Sequence, residues 1–373
     1  MQPLIYMNNA ATSWPKPGCV ADAVSEALCA PPGSANRGGV EEFDVFEETR
    51  KSLAQLMKGQ HYNHIALGAN STWGLNLAIQ GFPLKAGDTV VATAAEHNSV
   101  LRPLYKLNRE RHIKIIWVPV DAGGQVCPEF WEKACHTYKP SLCVLTHASN
   151  VTGAVNDICL LTHIAQQIDA AVLIDASQTL GMVPVQLDDW NIDMLAFTGH
   201  KYLLGPQGTG GLYVRPGLQL EPLLCGGTGI QSDRKEMPPE MPIHLEAGTG
   251  NEPAYYGLLA ALRWSEENPA DINRIEWLTE YLKQGLADAG ATVIAPQEKC
   301  TPVVSFVIEG KSAAEIGYIL TESYDIVCRS GLHCAPRIFT DLGCDSTVRL
   351  SLSRFTTEEE IKAVIQAVSS IMR

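Results

Sequence analysis

The sequence predicts an α/β protein in two parts: a large domain on a mostly parallel sheet flanked by helices, and a smaller α+β domain C-terminal to it. Three observations predict this. Between about residues 62 and 215, short apolar runs alternate with helix-like stretches, the order of strands joined by crossover helices. Several of these runs are apolar throughout, as strands covered on both faces are. After residue 215 the alternation stops. The division is placed so that residues 16–255 form the large domain and 256–373 the small one, with residues 1–15 packing on the latter.

Taken in order, the strands are read at His64–Leu67, Thr89–Thr93, Ile113–Pro119, Leu142–Thr146, Ala171–Ile174, Met194–Phe197 and Gly211–Val214. Helical patterning falls between them at Thr72–Gln80, Ser99–Arg111 and Leu160–Ile168. Pro216–Pro242 is rich in Gly and Pro and reads as irregular loop or hairpin. Helices follow at Pro253–Asn268 and Ile272–Ala289, then a β-rich piece at Thr292–Ile308 and a helix at Ala313–Ser323. A strand at Thr347–Ser353 and a helix at Thr357–Met372 close the chain, and Thr357 with Glu360 fits a capping box at that helix start.

Composition removes several function classes. The 373 residues are 46% hydrophobic and 18% charged, with a formal net charge of −13. A diffuse acidic balance argues against nucleic acid or an anionic membrane as partner. No run approaches the ~20 apolar residues of a membrane span, and the N-terminal segment lacks the pattern of a secretory signal. The 11 cysteines include no CxxC pair, which speaks against a disulfide framework or a structural zinc and for reduced cysteines in the cytoplasm, with no metal expected. GPQGTGG at 205–211 is not followed by GK[ST], so it is no P-loop. Asn70-Ser-Thr and Asn150-Val-Thr match glycosylation acceptors, but nothing points to secretion.

In an open parallel sheet, ligands bind at the carboxyl ends of the strands. Here those ends are polar: Glu96, His97 and Asn98; His147, Ser149 and Asn150; Asp175 and Gln178; Thr198, His200 and Lys201. Ser71 and Thr72 sit where a helix begins. Each has a plain explanation alone, since a hydroxyl caps a helix and an aspartate starts a turn. Their convergence on one sheet edge points to a cofactor that uses all of them, pyridoxal 5'-phosphate. It needs a lysine for its aldehyde, a carboxylate for its pyridinium nitrogen, and a helix N-terminus with hydroxyls for its phosphate. It also takes a flat group over its ring. Lys201, Asp175, Ser71 with Thr72, and His97 fill those roles.

Six stretches carry a resemblance that covers nearly the whole chain: AEHNSVLRP (95–103), THASNVTGAVND (146–157), IDASQTLG (174–181), FTGHKYLLGPQGTGGLYV (197–214), EAGTGN (246–251) and RSGLHCAP (329–336). They resemble the class V aminotransferase-like pyridoxal phosphate enzymes, of fold type I with a mixed, mostly parallel sheet. Within that family, the late Arg-Ser-Gly-x-His-Cys-Ala is similar to cysteine desulfurases and selenocysteine lyases. The resemblance implies that Lys201 carries the cofactor, Asp175 pairs with the ring nitrogen and Gln178 bonds the phenolic oxygen, with Asn150 beside it. It implies that His97 stacks on the ring and that Ser71, Thr72, Thr198 and His200 hold the phosphate. Thr249 would reach the phosphate of a second subunit, making a homodimer. Arg349, with Asn150, would bind the substrate carboxylate, and Cys334 would take sulfur from L-cysteine and pass it to a thiol-bearing acceptor protein or a small reductant. Selenocysteine lyase is the nearest alternative, followed by an aminotransferase or other lyase and a catalytically silent scaffold. Trp73, Thr198 and Gly250 depart from the family's usual acidic residue, serine and proline.

Two of these residues also have a reading of their own. TVRLSLSRF alternates with period two, placing Arg349 opposite Val348, Leu350 and Leu352. Arg349 alone would be a solvated strand face; a guanidinium fork equally suits a bidentate carboxylate. Cys334 lies in a loop signalled by Gly331 and Pro336, with Arg329, His333 and Arg337 supplying nearby positive charge.

Overall fold

The computed structural model describes residues 4–32, 43–296 and 298–372. Strand β1 (Ile5–Tyr6) and helices α1 (Gly18–Cys29) and α2 (Val45–Leu56) precede the large sheet. Its first strand β2 (Ile65–Gly68) leads into α3 (Ser71–Gly81), β3 (Thr89–Thr93), α4 (Asn98–Arg111) and β4 (Lys114–Val118). Then come α5 (Pro128–Tyr138), β5 (Leu142–Thr146), α6 (Ile158–Gln166), β6 (Ala171–Asp175), β7 (Met194–Thr198) and β8 (Gly210–Val214). The sheet has seven strands in the order β2-β8-β7-β6-β5-β3-β4. Strands β3 to β7 run parallel, while β8 is antiparallel to both of its neighbours.

The strands are apolar on both faces because both are covered. Val91, Cys143, Leu145, Val172, Ile174, Leu195 and Phe197 belong to one buried cluster. Their alternates Val90, Ala92, Leu142, Val144, Leu173, Met194 and Ala196 belong to another. That is the period-two split of a sheet with helices above and below. Residues 215–242 hold no helix or strand, as the Gly/Pro content led one to expect.

Beyond them lie α7 (Glu252–Glu267), α8 (Ile272–Asp288), β9 (Thr292–Ile294), β10 (Val303–Val307), α9 (Ala313–Tyr324), β11 (Ile326–Val327) and β12 (Arg329–Gly331). The short α10 (Ile338–Leu342), β13 (Thr347–Ser351) and α11 (Glu358–Met372) complete the chain. The second sheet is antiparallel in the order β12-β13-β10-β9. Its inner face, with Val304, Phe306, Val348 and Leu350, packs on Leu278 and Leu282 of α8, Leu320 of α9 and Ile361 and Val364 of α11. Strand β1 pairs with β11, and Asn8 bridges Ser351, so the N-terminal segment lies against this part. The capping box forms: Thr357 N–H donates to Glu360 Oε2 at 2.8 Å and Glu360 N–H to Thr357 Oγ1 at 3.2 Å.

Helix α3 is pressed against β8 where no side chain fits. A Cβ on Gly74 would stand 2.7 Å from the backbone oxygen of Gly211 and 3.5 Å from Ala196 Cβ. Helix propensity alone would favour alanine by about 1 kcal/mol, while overpacking costs about 1–3 kcal/mol. Gly74→Ala is therefore expected to destabilise by up to about 2 kcal/mol in denaturant unfolding, because a backbone oxygen cannot yield as a flexible side chain would. Unchanged or raised stability would show that α3 is free to shift on the sheet.

Candidate active site

A cavity of about 260 Å³ lies at the carboxyl edge of the large sheet, roofed by the second sheet. Lys201, Asp175, His97, Gln178, Asn150 and His200 are on its wall. So are Ser71 and Thr72 from the start of α3, and Arg349 with Arg329 from the second sheet.

Strand β6 delivers Asp175 to the floor. Ser177 N–H donates to Asp175 Oδ1 at 2.9 Å, and the Ser177 hydroxyl makes a short bond to the same oxygen. Both bonds fall on Oδ1, which leaves Oδ2 to the cavity. Enclosure by protein brings the Lys201 amine down to about 8; Asp175 pulls against that shift, and Arg349 and Arg329 add to it. The His97 ring caps α4, its Nδ1 accepting from Ser99 N–H at 3.1 Å. Burial first, then Lys201, holds it down to about 4, so at neutral pH it is an uncharged ring. His200 is likewise lowered to about 4 by burial and then by Lys201.

The start of α3 is capped by neither predicted hydroxyl. Asn70 does this, its side chain accepting from Trp73 N–H at 3.0 Å. Ser71 and Thr72 therefore keep their hydroxyls on the cavity wall, Thr72 Oγ1 lying 2.8 Å from Ser99 Oγ. Thr198, expected with them, ends β7 in the interior instead; its hydroxyl donates to Thr209 O at 3.4 Å and is not on the wall. Thr249 also lies away from the wall. The loop that carries it is anchored by Glu246, which accepts from Arg50 Nη2 at 2.7 and 2.8 Å and from Leu67 N–H at 2.7 Å.

Arg349 is not a solvated strand residue; it is fully buried. Nη1 donates to Asn150 O at 2.8 Å and Nη2 to Asn8 Oδ1 at 3.1 Å, while Nε is buried without a partner. Burial, then the neighbouring Arg329, lowers it to about 10. Arg329 Nη2 donates to Cys334 Sγ at 2.8 Å, so the thiol stands one guanidinium away from the lysine cavity. The Cys334 carbonyl accepts from Asn98 N–H at 2.6 Å. The other two charges expected near the thiol are not there. His333 is buried, brought down to about 3 chiefly by burial, and its Nε2 faces Thr347 Oγ1 at 2.9 Å. Arg337 turns outward over the Trp117 ring, 4.4 Å from its centroid.

Sequence reasoning missed Ser177 and the placement of Arg329 on the wall. Both were visible: Ser177 stands between Asp175 and Gln178, and Arg329 opens the cysteine motif. It also gave no task to Glu96, which is buried behind the cavity. Glu96 Oε1 accepts from Thr93 Oγ1 at 2.6 Å and Thr146 N–H at 2.8 Å, tying β3 to β5. Burial raises that carboxyl to about 8.

The cavity sets two guanidiniums and an amine against one carboxylate, which suits a ligand carrying phosphate and carboxylate groups. Three polar atoms on its wall residues are buried and unpaired: Gln178 Oε1, His200 Nδ1 and Arg349 Nε. Buried polar atoms are normally satisfied, so these mark positions for a ligand. With the α3 N-terminus and a neutral ring at His97, the donor set fits pyridoxal phosphate with an amino acid beside it.

A family model described as aminotransferase class-V matches residues 5–364. This chain belongs to that family. Among curated class-V relatives, the probable cysteine desulfurase of Methanothermobacter thermautotrophicus is 30% identical over 98% of this chain and 94% of its own. The probable cysteine desulfurase of Mycolicibacterium paratuberculosis is 29% identical over 99% of this chain, which spans 56% of that longer relative. The apo structure of a cysteine desulfurase from Thermococcus onnurineus superposes with a TM-score of 0.91 at 29% identity, over 99% of this chain and 94% of that one. The fold type expected from the sequence is thus the fold found.

The lowered Lys201 has a direct readout in cofactor-free protein. Competitive acetylation followed by mass spectrometry should find its amine gaining reactivity with a midpoint near pH 8, as the neutral, nucleophilic form appears. Surface lysines should titrate near 10.4. A Lys201 midpoint among the surface lysines would contradict the enclosed site.

Proposed function

We propose that the chain is a pyridoxal-phosphate-dependent cysteine desulfurase that converts L-cysteine to L-alanine and passes the sulfur through Cys334 to a thiol acceptor. The observation that carries this reading is the Cys334 thiol accepting a hydrogen bond from Arg329, itself a wall residue of the Lys201 cavity. An aminotransferase has no use for a thiol there.

In this reading, the residues of the large part hold the cofactor. Lys201 takes its aldehyde, Asp175 its ring nitrogen and Gln178 its phenolic oxygen, with Asn150 alongside. His97 covers the ring, and Ser71, Thr72 and His200 secure the phosphate. The cofactor supplies an electron sink for charge at the substrate α-carbon. Arg349 binds the substrate carboxylate, with the unpaired Nε as its free donor. The Lys201 amine, once released, takes the α-proton, for which a value near 8 is well matched. Cys334 Sγ attacks the substrate sulfur. A new S–S bond forms as the Cβ–S bond breaks, and its electron pair stays with carbon, which takes up a proton to become the methyl of alanine. Cys334 is left as a persulfide, so cysteine plus thiol gives alanine plus persulfide with no outside oxidant. Asn98 N–H and Arg329 position the thiol.

The working unit is a homodimer in which Thr249 reaches the partner's phosphate site, and the small part, 256–373 with 1–15, carries the cysteine loop. Eleven free cysteines suit the reducing cytoplasm. No helix among the described residues is long and apolar enough to cross a membrane.

Purified enzyme given L-cysteine should yield alanine and sulfane sulfur in equal amounts, with no keto acid. Cys334→Ala should keep the cofactor absorption band and release no sulfur. Sulfur release at the unmodified rate would remove Cys334 from the mechanism; keto acid in place of alanine would make the chain an aminotransferase. Arg349→Lys should weaken cysteine binding by about 1–3 kcal/mol, read as KM, through loss of the free Nε donor.

A further inference from the structure

Next to the Cys334 loop lies a second cleft of about 310 Å³, walled by Trp117, Pro119, Pro336 and Arg337. It opens at the edge of the large sheet, where β4 has no outer neighbour among the described residues. Arg337 lies over Trp117 and donates to Tyr105 OH at 3.2 Å, and its Nε is buried without a partner. Tyr105 beside it is 43% exposed. One loop thus presents Cys334 and, two and three residues later, forms the wall of an open surface cleft.

Helix α4 runs from this loop. Its first N–H holds the Cys334 carbonyl. At about 100° per residue, Asn98, Arg102, Tyr105 and Arg109 share one face within about 60° of arc. Arg102 and Arg109 are exposed. Among the described residues no carboxylate pairs with Arg102. Arg109 meets only Glu110, at 3.4 Å in an exposed pair, which holds little of its charge. The one carboxylate in the cleft, Asp341, accepts from Val120 N–H. In a chain of net charge −13, this is a basic stripe leading to the thiol. The net negative charge repels an acidic molecule at long range and the stripe draws it in.

We propose that the α4 face and the Trp117–Arg337 cleft form the docking surface for the sulfur acceptor, and that the acceptor is a protein with an acidic segment around its reactive cysteine. This rests on the desulfurase reading and names the partner of that site. The transfer is an exchange in which the acceptor thiolate attacks the outer sulfur of the Cys334 persulfide. The S–S bond to Cys334 breaks, Cys334 leaves as thiolate, and the acceptor gains the persulfide. Sulfur and electrons balance with no added reductant.

The test uses holoenzyme and two synthetic peptides of equal length, each with one cysteine, flanked by glutamates or by lysines. Cys334 is loaded with labelled sulfur from cysteine, and discharge to each peptide is timed and normalised to that peptide's rate with a small disulfide. The acidic peptide should discharge Cys334 about tenfold faster at low salt, with the advantage lost at high salt and in Arg102→Glu/Arg109→Glu. Discharge by dithiothreitol should be unchanged in that variant. Equal rates for the two peptides, or a preference that survives charge reversal, overturns the proposal. Fluorescence anisotropy of the acidic peptide with its thiol blocked reads docking without any persulfide. If Cys334 never loads, the desulfurase reading fails, while salt-sensitive binding that is lost on charge reversal still upholds the surface and no such binding rejects it.

Discussion

The guanidinium of Arg349 reaches from the second sheet to the Asn150 carbonyl of the first at 2.8 Å and to Asn8 of the N-terminal segment at 3.1 Å. Asn150 in turn donates to the His333 carbonyl at 2.6 Å, and Asn98 N–H to that of Cys334. These bonds join the two sheets across the reactive cavity. Leaving a charge buried and unpaired costs several kcal/mol. Among the described residues no carboxylate compensates Arg349; carbonyl and amide oxygens do, where both sheets and the N-terminal segment meet. The position of the Cys334 loop against the large sheet is therefore tied to how one buried cation is satisfied.

The same charge explains what the cavity takes. Lys201, Arg329 and Arg349 line one cavity with Asp175; Arg349 and Arg329 add to the lowering of Lys201, and Arg329 to that of Arg349. Their mutual repulsion is relieved by an anionic ligand. A ligand bearing phosphate and carboxylate groups would bind the folded chain and draw the sheets together, adding stability in proportion to its occupancy. Glu96 sits just behind this wall, and burial favours its protonated form. It ties β3 to β5 while adding little negative charge near neutral pH, so Asp175 remains the carboxylate that the ligand meets.

The large sheet was legible because its strands are apolar on both faces and its turns are not. The polar strand ends were legible for the same reason: Asp175, Lys201 and His97 break otherwise apolar runs at the one edge where backbone ends and ligand site begins. Helix α2 was not legible, because its inner face buries Thr49 and Arg50 to hold Glu246 and the loop beyond it; an apolar stripe interrupted by a charge does not read as a core face. Charges near Cys334 were legible as residues and not as directions. Three cations flank the thiol in sequence, but a histidine enclosed against Thr347 loses its charge and an arginine over Trp117 spends its charge outside. Only Arg329, on a strand paired with β13, points inward. Side-chain direction in a loop is set by contacts distant in sequence, and no local pattern encodes it. Thr198 illustrates the converse: a hydroxyl at the right strand end, turned inward by one alternation of the pleat.

His333 and Cys334 both adopt left-handed backbone, with φ of 49° and 61°, a region that residues with a Cβ occupy at a cost of about 1–3 kcal/mol each. Local sequence gives no reason to accept that cost. Three contacts from elsewhere do: Asn150 on the His333 carbonyl, Thr347 on its ring and Asn98 on the Cys334 carbonyl. Two consecutive left-handed residues turn the chain between Cys334, held by Arg329 of the cavity wall, and Pro336 and Arg337, which line the outer cleft. The strained turn is what lets a single loop serve a closed chemical site and an open surface, and α4, holding it at Asn98, is the rigid element common to both.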